Sequence, residues 1–107
     1  MLIDFNAMKE ITVDNMNGGE GSVCAKMFVN ESGKVIVSRI LPKSSIGLHL
    51  QTTGNDINFV VSGFGKAVCG GAEEELSPGV CHYCPKGEEH TIINTGEEEL
   101  VLYTVVG

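Results

Sequence analysis

Histidines are the side chains of this chain best suited to bind a metal or move a proton, and His90 has the most rigid setting among them. It follows the turn Pro85-Lys86-Gly87 and begins the β-branched stretch Thr91-Ile92-Ile93. Because proline and glycine define the turn, the strand that follows holds the imidazole ring in one direction. A metal ligand requires this kind of fixed orientation, so His90 is the first candidate ligand.

The residues around His90 also have a characteristic spacing. Five residues separate Gly79 from Pro85-x-Gly87, two more precede His90, and three separate it from Asn94. This pattern resembles the second conserved motif of the cupin superfamily, with every fixed position filled. The resemblance implies an all-β fold, the double-stranded β-helix or jelly-roll barrel.

An upstream segment is similar to the first cupin motif, with replacements. His49 lies where the first histidine belongs and Gln51 where the second belongs. Asp56 stands in the place of the glutamate at the correct distance from Gly63, and Ser44 replaces the opening glycine. Together the two motifs extend the resemblance over about residues 34–106.

The resemblance implies that His49, Gln51, Asp56 and His90 are metal ligands. Residues two apart in a strand share a face, which places His49 with Gln51 and Asp56 with Asn58. Two imidazole nitrogens, an amide oxygen and a carboxylate suit a divalent transition metal such as Fe, Mn, Ni, Zn or Co. The alternative is that the replaced motif has lost its metal, which would leave the histidines as polar groups in a pocket and Asp56 as a turn cap.

Three further residues are candidates for a ligand pocket. Asn58 shares the face of Asp56. His82 shares a strand face with Cys84 and is either a proton carrier behind the metal or a solvated surface residue. Arg39 is the only arginine and interrupts an apolar stretch, so it either anchors an anionic ligand or forms a salt bridge at the sheet edge.

Length and turn spacing predict one all-β domain, residues 1–107. Short apolar runs alternate with glycine-rich turns, as in a jelly roll. The predicted strands are Ser22–Val29, Lys34–Leu41, Ile46–Gln51, Ile57–Val61, Lys66–Cys69, Val80–Cys84, Thr91–Asn94 and Leu100–Val106.

The net charge of −7 argues against nucleic acid as a partner. No apolar run approaches the ~18 residues of a membrane span, and the first residues lack the pattern of a signal peptide. We therefore expect a cytoplasmic protein without membrane contact. The glutamate runs 73–75 and 97–99 are interpreted as solvated turns.

The cysteines are expected to be ordinary buried thiols in a reducing compartment. Cys81 and Cys84 have the C-x-x-C spacing but lie on a predicted strand, where positions three apart point to opposite faces. Cys24 and Cys69 lie among small and branched residues and are interpreted as core residues.

Residues 1–21 carry apolar side chains without forming a unit of their own. We expect a homodimer in which Leu2, Ile3 and Phe5 are buried against a partner subunit; the alternative is that the segment folds back on its own sheet.

The sequence supports two functions and leaves open whether the protein is an enzyme. One is a metal-binding protein that acts on or binds a small polar molecule, sugar-like or carboxylate-like. The other is a non-catalytic binder of a small ligand that has lost its metal. The shared fold decides neither.

Overall fold

Ten strands, paired antiparallel throughout, form two sheets that pack face to face. The computed structural model describes all residues, 1–107. The six-stranded sheet has the order β1-β2-β3-β10-β5-β8 and the four-stranded sheet the order β4-β9-β6-β7. The strands are β1 (Ile11–Asp14), β2 (Ser22–Asn30), β3 (Gly33–Ile40), β4 (Ser45–Leu50), β5 (Asp56–Ser62), β6 (Gly65–Cys69), β7 (Ala72–Leu76), β8 (Cys81–Cys84), β9 (Glu89–Asn94) and β10 (Leu100–Val106).

All eight strands expected from the sequence are present, and no end differs by more than two residues. Two strands were not expected. β1 precedes the first predicted strand, and β7 contains the glutamates 73–75, so the interpretation of that run as a turn is wrong. The only helical segments are 3₁₀ turns at Phe5–Ala7 and Met16–Gly18. No helix is long and apolar enough to cross a membrane.

Each sheet buries the alternate side chains of its strands against the other sheet. In β10 the burial pattern alternates without interruption from Leu100 to Val106, as period-2 side-chain geometry requires. The apolar core between the sheets comprises Val23, Ile40, Val60, Ala67, Leu76, Ile92, Leu100 and Leu102.

The space between the sheets changes from apolar to polar along the strands. In β5 the inward residues run from Val60 through Asn58 to Asp56, and in β10 Leu102 is followed by Thr104. These polar residues are all buried, so the polar end of the sandwich is an interior site and not a solvated rim.

A close backbone approach positions β4 at this polar end. A Cβ atom added at Gly47 would lie 2.2 Å from the carbonyl oxygen of Asn17, and one added at Gly19 would lie 2.2 Å from that of Ser45. Only glycine allows the turn at Met16–Gly18 to lie this close to β4. Met16 is thereby brought into the wall of the interior cavity.

The N-terminal segment folds back on its own subunit. β1 pairs with β2, and the Phe5 ring lies 6.2 Å from that of Tyr103 on the outer face of the six-stranded sheet. Met1 and Leu2 remain 97% and 86% exposed. The segment therefore covers only part of that face.

We expect Gly47→Ala to lower the free energy of unfolding by at least about 2 kcal/mol, because the new methyl group meets backbone atoms that cannot rotate away. Urea unfolding followed by circular dichroism measures this change. Gly96→Ala is the matched control, since its added Cβ would have only ordinary contacts of 3.6 Å or more. Equal stability of the two variants would contradict the close approach.

Candidate functional site

A cavity of about 100 Å³ lies at the polar end of the sandwich. Aliphatic and methionine side chains form most of its wall, and a few polar groups project into it from both sheets. The lining residues are Met16, Val23, Ala25, Met27, Ile36, Ser38, Ile46, His49, Asp56, Asn58, His90, Ile92 and Thr104.

His90 is the centre of the polar groups. It is fully buried in β9, directly opposite His49 of β4. Its Nε2 atom lies 3.1 Å from Nε2 of His49 and 3.1 Å from Oδ2 of Asp56. The structure therefore brings together three of the four expected ligands, with the two histidines from one sheet and the carboxylate from the other.

A β-bulge directs His49 into the cavity. The pairing of β4 with β9 shifts register between Ile46 and His49, and both of these residues line the cavity although they are three apart. In a regular strand they would point to opposite faces. Nδ1 of His49 lies 2.7 Å from the carbonyl oxygen of Gly47, which holds the ring in place.

A chain of hydrogen bonds extends behind His90 to the protein surface. Nδ1 of His90 lies 3.0 Å from Nε2 of His82, and Nδ1 of His82 lies 2.6 Å from Oε1 of Glu74. The His82 side chain is fully buried and that of Glu74 is half exposed. His82 is thus an interior residue in contact with His90 and not a solvated one.

These contacts decide which nitrogen of each ring carries the proton. A carboxylate only accepts hydrogen bonds, so His82 donates to Glu74 from Nδ1 and presents a lone pair at Nε2. Asp56 also only accepts, but its oxygen lies 3.1 Å from Nε2 of His90, whereas the contact between His82 and Glu74 is 2.6 Å, so we give the shorter contact the proton. With both rings neutral, His90 then donates from Nδ1, and its own Nε2 is unprotonated. Since a backbone carbonyl also only accepts, His49 donates from Nδ1 to Gly47 and has its lone pair at Nε2.

The arrangement therefore directs lone pairs of two imidazoles and a carboxylate at one another. The facing atoms are Nε2 of His49, Nε2 of His90 and Oδ2 of Asp56. When both rings are neutral, none of these three atoms carries a hydrogen, so all of them can only accept a hydrogen bond. Such a cluster is favourable only around a positive charge, either an added proton or a cation.

The donor set and its distances are compatible with one transition metal ion. Two nitrogens that are each about 2.1 Å from one ion lie about 3 Å apart when the angle at the ion is near 90°, which is close to the 3.1 Å between the histidines. As placed, however, no group of three or more His, Cys, Asp or Glu residues has the geometry of a metal cluster. The side chains would have to shift from hydrogen-bonded to ligating positions.

Asn58 and Thr104 form the floor of the polar region. The hydroxyl of Thr104 donates to Oδ1 of Asn58 at 2.7 Å, and Nδ2 of Asn58 lies 3.4 Å from the carbonyl oxygen of His82. Both residues line the cavity.

Gln51 lies apart from this group. β4 ends at Leu50, and the backbone N–H of Gln51 bonds to the carbonyl oxygen of Glu88 at 2.9 Å. Its side chain is buried but does not line the cavity and makes no hydrogen bond to the histidines. Gln51 is buried, as is typical of a residue two positions after the inward His49, but it follows the last residue of β4 and is not part of the cavity wall.

Arg39 is also outside the cavity. It projects from β3 on the opposite face of the sheet and forms ion pairs with Glu10 and Glu99. Its hydrogen bond holds the pKa of Glu10 below the usual value. Of the two roles considered for Arg39, the structure places it in the salt bridge, so it is not available to anchor a ligand in the cavity.

The sequence interpretation missed Glu74, because a run of three glutamates is usually a solvated segment. The residue that could have indicated the role of Glu74 is Leu76, which lies two positions later in the same strand and is buried. Residues two apart share a face, so a strand that buries Leu76 directs Glu74 inward as well.

Comparison with known proteins agrees with this architecture. The model of the cupin domain family matches residues 36–106. The oxalate-binding protein of Thermotoga maritima is 28% identical over 100 residues, which are 88% of this chain and 83% of that protein. The crystal structure of a predicted oxalate decarboxylase from T. maritima superposes with a TM-score of 0.89 at 24% identity, covering 99% of this chain and 98% of that one. A cupin domain from Rhodospirillum rubrum gives a TM-score of 0.81 at 14% identity, covering 100% and 74% of the two chains.

The strand arrangement and these superpositions confirm the expected jelly roll. Since the family match extends over more than half of the residues, this chain belongs to the cupin domain family.

Proposed function

We propose that this protein binds a divalent transition metal ion at His49, His90 and Asp56 and, through that ion, a small carboxylate. The observation that supports the metal is the convergence of three acceptor atoms, with His90 Nε2 at 3.1 Å from both of its neighbours. Nitrogen and oxygen donors of this kind suit Mn, Fe, Co, Ni or Zn. Participation of the Gln51 carbonyl oxygen as a fourth ligand stays a prediction.

The size of the cavity favours a ligand of few atoms. Pockets for drug-sized molecules typically enclose about 300–1,000 Å³, whereas this cavity measures about 100 Å³. A sugar ring would fill or exceed this space. A two- or three-carbon acid fits within it.

The charge of the cavity makes carboxylate binding depend on the metal. No lysine or arginine lines the cavity, and Asp56 contributes a negative charge to it. A carboxylate would be repelled by Asp56 in the absence of a cation and attracted by a divalent ion in its presence. The similarity to a protein named for oxalate binding supports this ligand class.

We propose binding without turnover as the function. A bound ion would supply Lewis-acid attraction for the carboxylate. Apart from the candidate ligands His49, His90 and Asp56, the cavity contains no histidine, lysine, tyrosine, aspartate or glutamate that could act as an acid or base. The contribution of this chain is then to hold the ion, to orient the ligand between apolar walls and to exclude water.

A cytoplasmic location is also proposed. All four cysteines are free thiols, which a reducing compartment maintains.

The outer face of the six-stranded sheet supports a homodimer. The side chains of β5, β8 and β10 that point away from the core are uncharged, and Phe59, Val61, Tyr83 and Tyr103 are each 50% exposed. An apolar face of this extent on a chain with net charge −7 favours association with a second copy, since no like charges meet there.

Titration of metal-free protein with Mn²⁺ or Zn²⁺ should show one bound ion per chain by calorimetry and elemental analysis. His90→Ala should weaken binding by at least about 100-fold, because one of two imidazole ligands is lost. Gln51→Ala is the comparison: an affinity within about threefold of the unchanged protein places Gln51 outside the ligand set, and a loss equal to that of His90→Ala places it inside.

The same samples test whether the protein binds a small carboxylate through the metal ion. Oxalate should bind to the metal-loaded protein and not after removal of the metal with a chelator. Binding of equal strength without metal would contradict the proposal and favour a binder that has lost its ion. Release of product from oxalate in the loaded sample would contradict binding without turnover.

Glu74→Ala should weaken metal binding by about 10- to 100-fold, the range found for residues that orient a ligating histidine. Without the carboxylate, His82 is free to place its proton on Nε2 and to reverse the hydrogen bond with His90. Glu74→Gln should retain most of the affinity, because the amide oxygen still accepts from Nδ1 of His82. Glu75→Ala, from the same strand, is the control.

Nitrogen-15 NMR of the metal-free variants separates this role from a general loss of structure. The unchanged protein and Glu74→Gln should show His90 protonated at Nδ1, and Glu74→Ala should show a mixture of tautomers. An unaltered tautomer and affinity in Glu74→Ala would overturn the assigned role of Glu74 and leave the metal proposal standing.

Light scattering at micromolar concentration should give twice the monomer mass, and Phe59→Asp should give the monomer mass, because a charge placed in the apolar face cannot be desolvated cheaply. Val29→Asp, also exposed but on β2, is the control. A monomeric unchanged protein would contradict the dimer.

A further inference from the structure

Two cysteines meet across the sandwich beside the candidate site. Cys69 ends β6 in the four-stranded sheet, and Cys84 ends β8 at the edge of the six-stranded sheet. Their Sγ atoms lie 3.5 Å apart, although the residues are 15 positions apart in the chain. A bond between them would join the two sheets covalently.

The other two cysteines are placed differently. Cys81 is exposed on the outer face of β8 while Cys84 is buried on the inner face, so the C-x-x-C pair cannot close within the strand. Cys24 is buried in β2 and contacts the hydroxyl of Thr12. The contact between Cys69 and Cys84 is therefore specific, and the interpretation of Cys69 as a core residue is incomplete, because this residue is only partly buried.

The pair adjoins the metal candidates without belonging to them. Cys69 is the cross-strand neighbour of His90, and Cys84 is the cross-strand neighbour of Asp56. Neither cysteine lines the cavity. Binding of an ion or a carboxylate, as proposed above, uses neither thiol, so their proximity calls for a different chemistry.

We propose that Cys69 and Cys84 are a modification site at which hydrogen peroxide forms an intramolecular disulfide. The two sulfurs are 3.5 Å apart before reaction and must approach to about 2.05 Å to form the bond. The proposal does not depend on metal binding.

Exposure sets the order of the steps. Cys69 is partly exposed and Cys84 is fully buried, so peroxide reaches Cys69 first. The Cys69 sulfur attacks one peroxide oxygen, the O–O bond breaks, and a sulfenic acid and water result. The Cys84 sulfur then attacks the Cys69 sulfur, the S–O bond breaks, and the departing hydroxide takes the Cys84 proton as a second water.

The state of Cys84 makes this second step the slower one. Burial, with the hydrogen bond to Cys69 and the nearby carboxylates, raises the pKa of Cys84 to about 12. Cys84 is thus a protonated thiol at neutral pH, a weaker nucleophile than a thiolate, and its proton goes to the leaving hydroxide as the bond closes. Overall, two thiols are oxidised, one peroxide is reduced, and two waters form.

The test is peroxide treatment of the metal-free protein in the presence of a chelator, followed by intact-mass and peptide mass spectrometry. We expect a loss of about 2 Da, a linked peptide pair containing Cys69 and Cys84, and reversal by a thiol reductant. The melting temperature of the oxidised form should rise by about 10 °C, because the link restricts the unfolded chain.

Variants make the test decisive. Cys84→Ser should trap the sulfenic acid at Cys69, which a dimedone label detects, while Cys81→Ser should form the disulfide as the unchanged protein does. A link through Cys81, dimedone labelling of Cys69 in the unchanged protein without a disulfide, or no reaction at millimolar peroxide would each overturn the proposal.

Discussion

The placement of three imidazole protons is the constraint on which the candidate site depends. His49, His82 and His90 each have their Nδ1 atom against an acceptor outside the cavity. Two of these partners, a backbone carbonyl and a carboxylate, cannot donate, so with neutral rings the hydrogen bond from His82 to Glu74 sets the direction of the one between His90 and His82. The consequence is that His49 and His90 both turn lone pairs toward the same point, where Asp56 adds a third acceptor.

Contacts between the two sheets hold this cluster of side chains in place. The histidines that converge belong to the four-stranded sheet, whereas Asp56 and His82 belong to the six-stranded one. Apolar packing holds the sheets together at one end, and the hydrogen-bonded cluster holds them together at the other. Every buried side-chain nitrogen and oxygen lies within hydrogen-bond distance of another polar atom, and the contacts among His49, His90 and Asp56 are the ones that still require a proton or a cation.

Features that depend on neighbouring residues in the chain could be predicted from the sequence, whereas features that depend on the pairing of distant strands could not. The turn before His90 and the alternation of buried residues within β5 and β10 are local patterns, and such patterns predicted the strands. The spacing of the two motifs then identified His49, Asp56 and His90 as candidates. The position of Gln51 outside the cavity wall could not be predicted, because the register shift between Ile46 and His49 and the end of β4 depend on pairing with β9, which a single strand does not reveal. The cysteine contact and the role of Glu74 both depend on which strands face each other.

The polar groups of the cavity also limit the kind of ligand that it can accept. Thr104 already donates to Asn58, whose own amide is directed to the carbonyl oxygen of His82. A sugar would bring several hydroxyls into apolar walls with few free partners, and each unsatisfied hydroxyl costs about 1–3 kcal/mol. A small carboxylate concentrates its polarity at one end and needs only one point of attachment. If a cation occupies the cluster of His49, His90 and Asp56, as proposed above, we expect this cavity with its otherwise mainly apolar walls to prefer compact anions to polyhydroxylated molecules.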